Sequence, residues 1–172
     1  ETIPEAEQDL PRNLCPLVKS SYGFAKTDKC PYFYFSDLIV GETTCDGKKK
    51  MYEYLGQFKP VYTMELPNSQ SPEGLELWTK EIIKLKEKLE SHFETTITDE
   101  AVREQVKVMN EVRRAMKEFY ALTKVEPVPI LGQNLFSVLY GSSFRFNKVK
   151  LPDEIRAVVA KVKAEYAENP NK

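Results

Sequence analysis

Histidine is almost absent from this sequence: His92 is the only one in 172 residues, in a charged stretch far from every cysteine. Any soft-ligand site must therefore be built from thiolates without imidazole. Long apolar runs are lacking too. None approaches the roughly eighteen residues that a membrane-spanning helix needs, and the first thirty residues lack the basic-then-apolar layout of a secretion signal. Charge of one sign is not in excess, because 25 Lys and Arg stand against 26 Asp and Glu. No global field then recruits nucleic acid or an anionic membrane, and the electrostatics that matter are local. Cysteine is scarce and odd in number, three in all, which argues against a closed disulfide framework and fits a reducing, cytoplasmic compartment. The Gly47-Lys48 pair has no upstream glycine, so a P-loop for ATP is unsupported.

What is present organises itself around residues 37–53. An apolar run, Asp37 to Glu42, reads as a short strand and feeds the polar turn Thr43-Thr44-Cys45; Asp46 to Leu55 then follows a helical pattern, with Gly56 placed to end it. Val61 to Leu66 reads as a second strand closed by Pro67-Asn68-Ser69. Strand, helix and strand within about thirty residues predict a parallel, right-handed unit. Cys45 then lies outside the carboxyl end of a strand and at a helix N-terminus, where ligands gather in open α/β sheets and a thiolate is favoured by the helix dipole.

Upstream, residues 1–14 read as an irregular lead-in broken by Pro4 and Pro11, with acidic residues that have no apolar face to support. Pro16 suits the first turn of a helix carrying Leu17, Val18, Tyr22 and Ala25, and Cys30-Pro31 precedes the aromatic run Tyr32 to Phe35. Downstream, helix dominates. Leu75, Trp78, Ile82, Leu85, Leu89 and Phe93 share one face, and Val102, Val106, Met109, Val112, Met116 and Phe119 share another. Thr98 is placed as an N-cap, and Pro127 and Pro129 are expected to close that helix. Residues 132–146 favour helix over strand, and Pro152 starts a last amphipathic helix that fades into the polar tail 169–172. The expected organisation is an α/β lobe, 1–68, carrying the cysteines, followed by a helical segment, 69–172, packed on it.

Cys15, Cys30 and Cys45 are spaced by fourteen intervening residues on each side, and each sits beside a turn or helix start rather than within an apolar stripe. Three thiolates that converge select iron–sulfur clusters or zinc over harder cations. Three buried small apolar residues would satisfy the same spacing. A nucleophilic Cys45 would need His92, Glu42 or Asp46 as its base. Lys48, Lys49 and Lys50 read as an anion or partner contact, or as a solvated helix face. The aromatic run reads as core or interlobe packing, or as a chamber wall.

The segments Leu14-Cys15-Pro16-Leu17-Val18-Lys19-Ser20-Ser21-Tyr22-Gly23, Lys29-Cys30-Pro31-Tyr32 and residues 37–53, above all Glu42-Thr43-Thr44-Cys45-Asp46-Gly47-Lys48, resemble the 2-hydroxyacyl-CoA dehydratase and benzoyl-CoA reductase superfamily. The three-cysteine form most resembles its double-cubane cluster protein branch. The resemblance runs on through Leu66-Pro67-Asn68 and more loosely to Pro129-Ile130-Leu131-Gly132. It implies a partial flavodoxin-like parallel-sheet lobe and an iron–sulfur cofactor, a double cubane rather than a single 4Fe-4S cluster. Cys15, Cys30 and Cys45 would be its ligands from this lobe, and low-potential electrons would come from a separate ATP-hydrolysing iron–sulfur activator. It also implies a second cluster-binding lobe, which this chain does not contain, and a dimer. The function implied is reduction of small unsaturated substrates. The alternatives are a dehydratase subunit performing radical elimination of water from a 2-hydroxyacyl-CoA, and a non-catalytic electron-storage subunit. Cys30 discriminates, since the dehydratase pattern is expected to lack a ligand at that turn.

Overall fold

The computed structural model describes residues 2–169, so residues 170–172 of the expected polar tail lie outside the described residues. The chain divides into two compact units at Thr96/Ile97. This boundary lies well beyond the expected one at residue 68, so the first long helix belongs to the cysteine-bearing unit.

In the first unit, helix α1 spans Ile3–Ala6, α2 Pro16–Lys26 and α3 Pro31–Phe35; strand β1 spans Ile39–Glu42, followed by α4 Asp46–Leu55, strand β2 Val61–Met64 and α5 Pro72–Phe93. The strands pair in parallel, Ile39 opposite Val61 through Glu42 opposite Met64. The α/β class with a small, partial parallel sheet is thus what the sequence adopts, and α4 has its expected bounds. Gly56 does cap α4, but in the ordinary right-handed conformation at φ −60°, so it ends the helix without using glycine's freedom.

The core of this unit joins Ala6 and Leu10 to Val18, Tyr22 and Ala25 of α2 and to Met51 and Leu55 of α4. Residues 1–14 are therefore not an unsupported lead-in. Pro4 sits in the first turn of α1, where a missing N–H costs nothing. Thr2 is fully buried, and its hydroxyl donates to the Ser20 carbonyl at 3.2 Å. Two of the acidic residues find cations on α2: Glu7 pairs with Lys19 at 2.6 Å and Asp9 with Lys26 at 2.6 Å. The Tyr22 hydroxyl also donates to Asp9, at 2.7 Å. Close approach here depends on Gly23, since a Cβ at that position would lie 2.1 Å from the Thr2 carbonyl oxygen. Leu17, expected on the buried stripe of α2, is instead 74% exposed.

Helix α5 begins as its sequence dictates: the Ser71 hydroxyl accepts from the Gly74 amide at 3.1 Å, and Pro72 and Glu73 occupy the first turn. Its expected apolar stripe is only partly covered, with Trp78, Leu85 and Leu89 half-buried and Leu75, Ile82 and Phe93 exposed. A charge ties it to the sheet. Buried Glu81 accepts from the Glu65 amide at 3.2 Å, just past β2, and pairs with Lys84. Lys84 first and the Glu65 amide second hold that carboxyl below its ordinary range.

The second unit contains α6 Asp99–Tyr120, a 3-10 turn Ala121–Lys124, α7 Gly132–Ser143 and α8 Leu151–Glu168. Thr98 caps α6 as expected, its hydroxyl accepting from the Ala101 amide at 3.1 Å. Val112, Ala115, Phe119 and Leu122 pack against Leu151, Ile155 and Val159. Arg156 of α8 reaches Glu111 and Glu118 of α6 beside this core. The stripe of α6 is buried only in its second half, Val102 and Val106 being exposed. The helix ends at Tyr120, before Pro127 and Pro129 act. Residues 132–143 are helical, as expected.

Candidate functional site

The three cysteines share one structural role: each is the N-cap of a helix, Cys15 of α2, Cys30 of α3 and Cys45 of α4. Proline in the first turn follows Cys15 and Cys30, and Asp46 follows Cys45. N-caps usually carry a side-chain oxygen that accepts an orphan amide of the first turn. Here sulfur does so. Cys30 Sγ accepts from the Phe33 amide and Cys45 Sγ from the Lys48 amide, both at 3.4 Å. Cys15 makes no such bond of normal geometry. Even so, the nearby Val18 amide, then the Leu17 amide and the Lys19 charge, hold its thiol below the ordinary cysteine range. All three thiols are free, with Cys15 and Cys45 exposed and Cys30 half-buried.

The turn carrying Cys45 is tied to the end of the sheet. The Thr43 amide donates to the Met64 carbonyl at 3.1 Å, and the Thr43 hydroxyl accepts from the Leu66 amide at 2.8 Å. Both loops that leave the strand carboxyl ends are thereby joined. The turn carrying Cys15 meets the same helix start, because Leu14 Cδ1 lies 2.8 Å from where a Cβ of Gly47 would be. That Cβ position is 3.9 Å from Cys45 Sγ. Cys30 is positioned by Phe33, which packs on the core, and by Lys59, whose ammonium donates to the carbonyls of Tyr34 at 2.7 Å and Ser36 at 2.6 Å.

Among the described residues no three His, Cys, Asp or Glu side chains form a metal-holding group. The lysine run is largely engaged along its own helix: Lys49 pairs with Asp46 at 3.2 Å, and Lys50 with Glu53 at 2.5 Å while lying over the Tyr54 ring. His92 belongs to α5 and contacts Phe93. The aromatic run forms α3, with Tyr32, Tyr34 and Phe35 exposed. A cleft of about 300 Å³ in this unit is lined instead by Pro67, Ser69, Gln70, Ser71, Gly74, Leu75 and Trp78.

Sequence reasoning missed Lys19, Leu14 and Gly47. Lys19 is 5% exposed, whereas lysine is almost never fully buried unless paired. Its signal was position, between Val18 and Tyr22 on the buried side of α2. The signal for Gly47 was a glycine in the first turn of a helix, where it costs stability unless another group must come close.

Fold and thiols together define a class: a small parallel α/β unit whose free thiols cap the helices leaving its turns. Residues 1–172 match the family described as 2-hydroxyglutaryl-CoA dehydratase, D-component. The chain is also 53% identical over 169 residues to "Putative dehydratase subunit YjiM" of Escherichia coli (strain K12), an alignment covering 98% of this chain and 44% of that protein. This chain belongs to the 2-hydroxyglutaryl-CoA dehydratase D-component family. It spans less than half the length of the curated relative it matches.

Proposed function

We propose that this chain is the cysteine-bearing lobe of an iron–sulfur component that receives low-potential electrons from an ATP-hydrolysing activator and delivers them to a small unsaturated substrate. The observation that carries the reading is the repeated capping geometry: Cys30 accepts a first-turn amide just as Cys45 does. A ligand role for Cys30 belongs to the double-cubane form. Thiolate is the ligand type such clusters take, and the donors are free cysteines, so the chemistry of the set fits. Their number does not complete a double cubane, and the remaining ligands are assigned to a second lobe of the same protein. No nucleic acid or membrane enters the scheme, and among the described residues no helix is long and apolar enough to cross a membrane. A cytoplasmic dimer is the proposed working form.

Bound to Cys15, Cys30 and Cys45, the cluster would supply reversible one-electron chemistry at low potential. The chain's own residues prepare for it. Amides of the first turns of α3 and α4 donate to the sulfurs of Cys30 and Cys45 and offset negative charge there. Thr43 fixes the Cys45 turn to the strand ends, and Lys59 fixes α3 behind Cys30. Lys48, Lys49 and Lys50 are proposed to compensate an anionic cluster or to dock the activator.

A second reading is favoured by the family's description and by the relative's name: a dehydratase subunit that eliminates water from a 2-hydroxyacyl-CoA. Anaerobic purification of the full-length protein decides the first point. Brown protein with stoichiometric iron and acid-labile sulfide is expected, and colourless protein that resists reconstitution would refute the iron–sulfur reading. Cys30→Ser decides the second. Loss of bound iron supports the reductase form, whereas an intact cluster that turns over a 2-hydroxyacyl-CoA supports the dehydratase. Sustained electron consumption with a substrate excludes a pure storage role.

A further inference from the structure

We infer that Leu14, Gly47 and Lys19 form a two-point clamp that sets the approach of the Cys15 turn to the Cys45 helix, so that both sulfurs serve one bound group. This rests on the proposed ligand role of those cysteines and extends it to residues that touch no ligand.

The first point is apolar. Leu14, the residue before Cys15, fills the space that a Gly47 side chain would take, 2.8 Å from the ideal Cβ position. Gly47 is the second residue of α4, two beyond Cys45. Leu14 also packs against the buried core of the unit, so it is wedged rather than draped over the surface. A methyl at position 47 meets only the tip of Leu14, which can turn aside; a branched residue also crowds Leu14 Cγ, 3.8 Å from the Cβ position, and is the change that presses on the Cys15 turn.

The second point is ionic. The Lys19 side chain is only 6% exposed, and its ammonium lies 2.6 Å from Glu7 Oε1 and 2.7 Å from the Arg12 carbonyl oxygen. A buried ammonium is tolerated only when paired and hydrogen-bonded. Its partners are the exit of α1 and the loop that delivers Cys15. The Lys19 amide also donates to the Cys15 carbonyl at 3.1 Å, and the Leu14 amide to the Pro11 carbonyl at 3.0 Å. Residues 11–15 are thereby held at both ends. If Lys19 merely stabilised α2, a bond to Glu7 would suffice; the bond to Arg12 constrains the cysteine loop itself. Ligand constellations need placement within about half an ångström, and supporting residues of this kind supply it.

The test reads sulfur-to-sulfur reach in the metal-free chain. Cys15 and Cys45 are both exposed and open to reagents. In a Cys30→Ser background, only this pair reacts with bis-methanethiosulfonate linkers of increasing span. The parent is expected to cross-link best with the shortest linkers. Gly47→Val should lower the yield with the shortest linkers and move the optimum to longer spans. Adding Leu14→Ala should restore it. Lys19→Met should broaden the span distribution, and Lys19→Arg should narrow it again. Far-UV melting accompanies each variant, so that a change of reach at preserved helicity is separated from unfolding; should Gly47→Val fail to fold, the two Lys19 variants carry the same reading. An unchanged span profile in the folded variants, or a parent pair that no short linker joins, overturns the clamp. Because no iron is present, these outcomes are independent of cluster loading. A parent chain that cross-links but whose full-length protein takes up no iron would sink the iron–sulfur reading and leave the clamp standing.

Discussion

Replacing Gly23 by alanine puts opposing forces into one position of α2. In an isolated helix the change stabilises by about 1 kcal/mol, because glycine is the poorer helix former. In this fold the added methyl would lie 2.1 Å from the Thr2 carbonyl oxygen and 2.8 Å from its Cβ. Backbone cannot swing aside as a side-chain tip can, so α1 must move. Overpacking of this kind costs about 1–3 kcal/mol. If the segment detached altogether, the unit would lose the burial of Leu10, worth about 1.5–3 kcal/mol, together with that of Ala6. The net expectation is destabilisation of up to about 2 kcal/mol, the overpacking cost less the helix-propensity gain. Urea unfolding followed by the fluorescence of Trp78, the only tryptophan and a residue of the same unit, measures it. A variant more stable than the parent by about 1 kcal/mol, the full helix-propensity gain, would show that residues 2–10 are not packed on α2.

Asp9 gives a pH signature. Lys26 first, and then the Tyr22 hydroxyl, hold its carboxyl below the ordinary value of 3.8, so its contribution is present above the unfolded-state pKa and is lost as pH falls through the lower folded-state one. Asp9→Asn should therefore lower stability at neutral pH and flatten its decline on acidification; an acid limb that keeps the parent's slope would refute the assignment. In the second unit, Phe119 is fully buried between α6 and α8, and Phe119→Ala should cost about 3–5 kcal/mol. Calorimetric melting reads that loss, and a fall below about 1 kcal/mol would mean the α6–α8 core is misassigned.

The structure also changes how the exposed surface is read. The expected stripes of α5 and α6 are not buried along their length, and the residue that fixes α5 to β2 is a carboxylate, Glu81. Periodicity reports which residues share a face; it does not report whether a partner covers that face. The same limit applies to α3, where the composition of Tyr32 to Phe35 suggests a wall or a core but a five-residue helix half-buries Phe33 and leaves Tyr32, Tyr34 and Phe35 exposed.

What the sequence determined by itself is local. Ser71 and Thr98 as caps, Pro16 and Pro72 in first turns, the bounds of α4 and the parallel strand–helix–strand order all follow from residues within a turn or two of one another. The placement of Cys15 and Cys45 at helix starts was legible for the same reason, whereas Cys30 reads only as part of a turn and its five-residue helix is not legible in the sequence. Tertiary structure decided what depends on distant partners. The packing of residues 2–10 needs Gly23 to leave room, the burial of Lys19 needs Glu7 and the Arg12 carbonyl, and the seat of Leu14 on Gly47 joins positions more than thirty apart. Each is a close approach or a buried charge, and its sign is set by the one group that faces it. That group's identity is not encoded in any neighbouring stretch of chain.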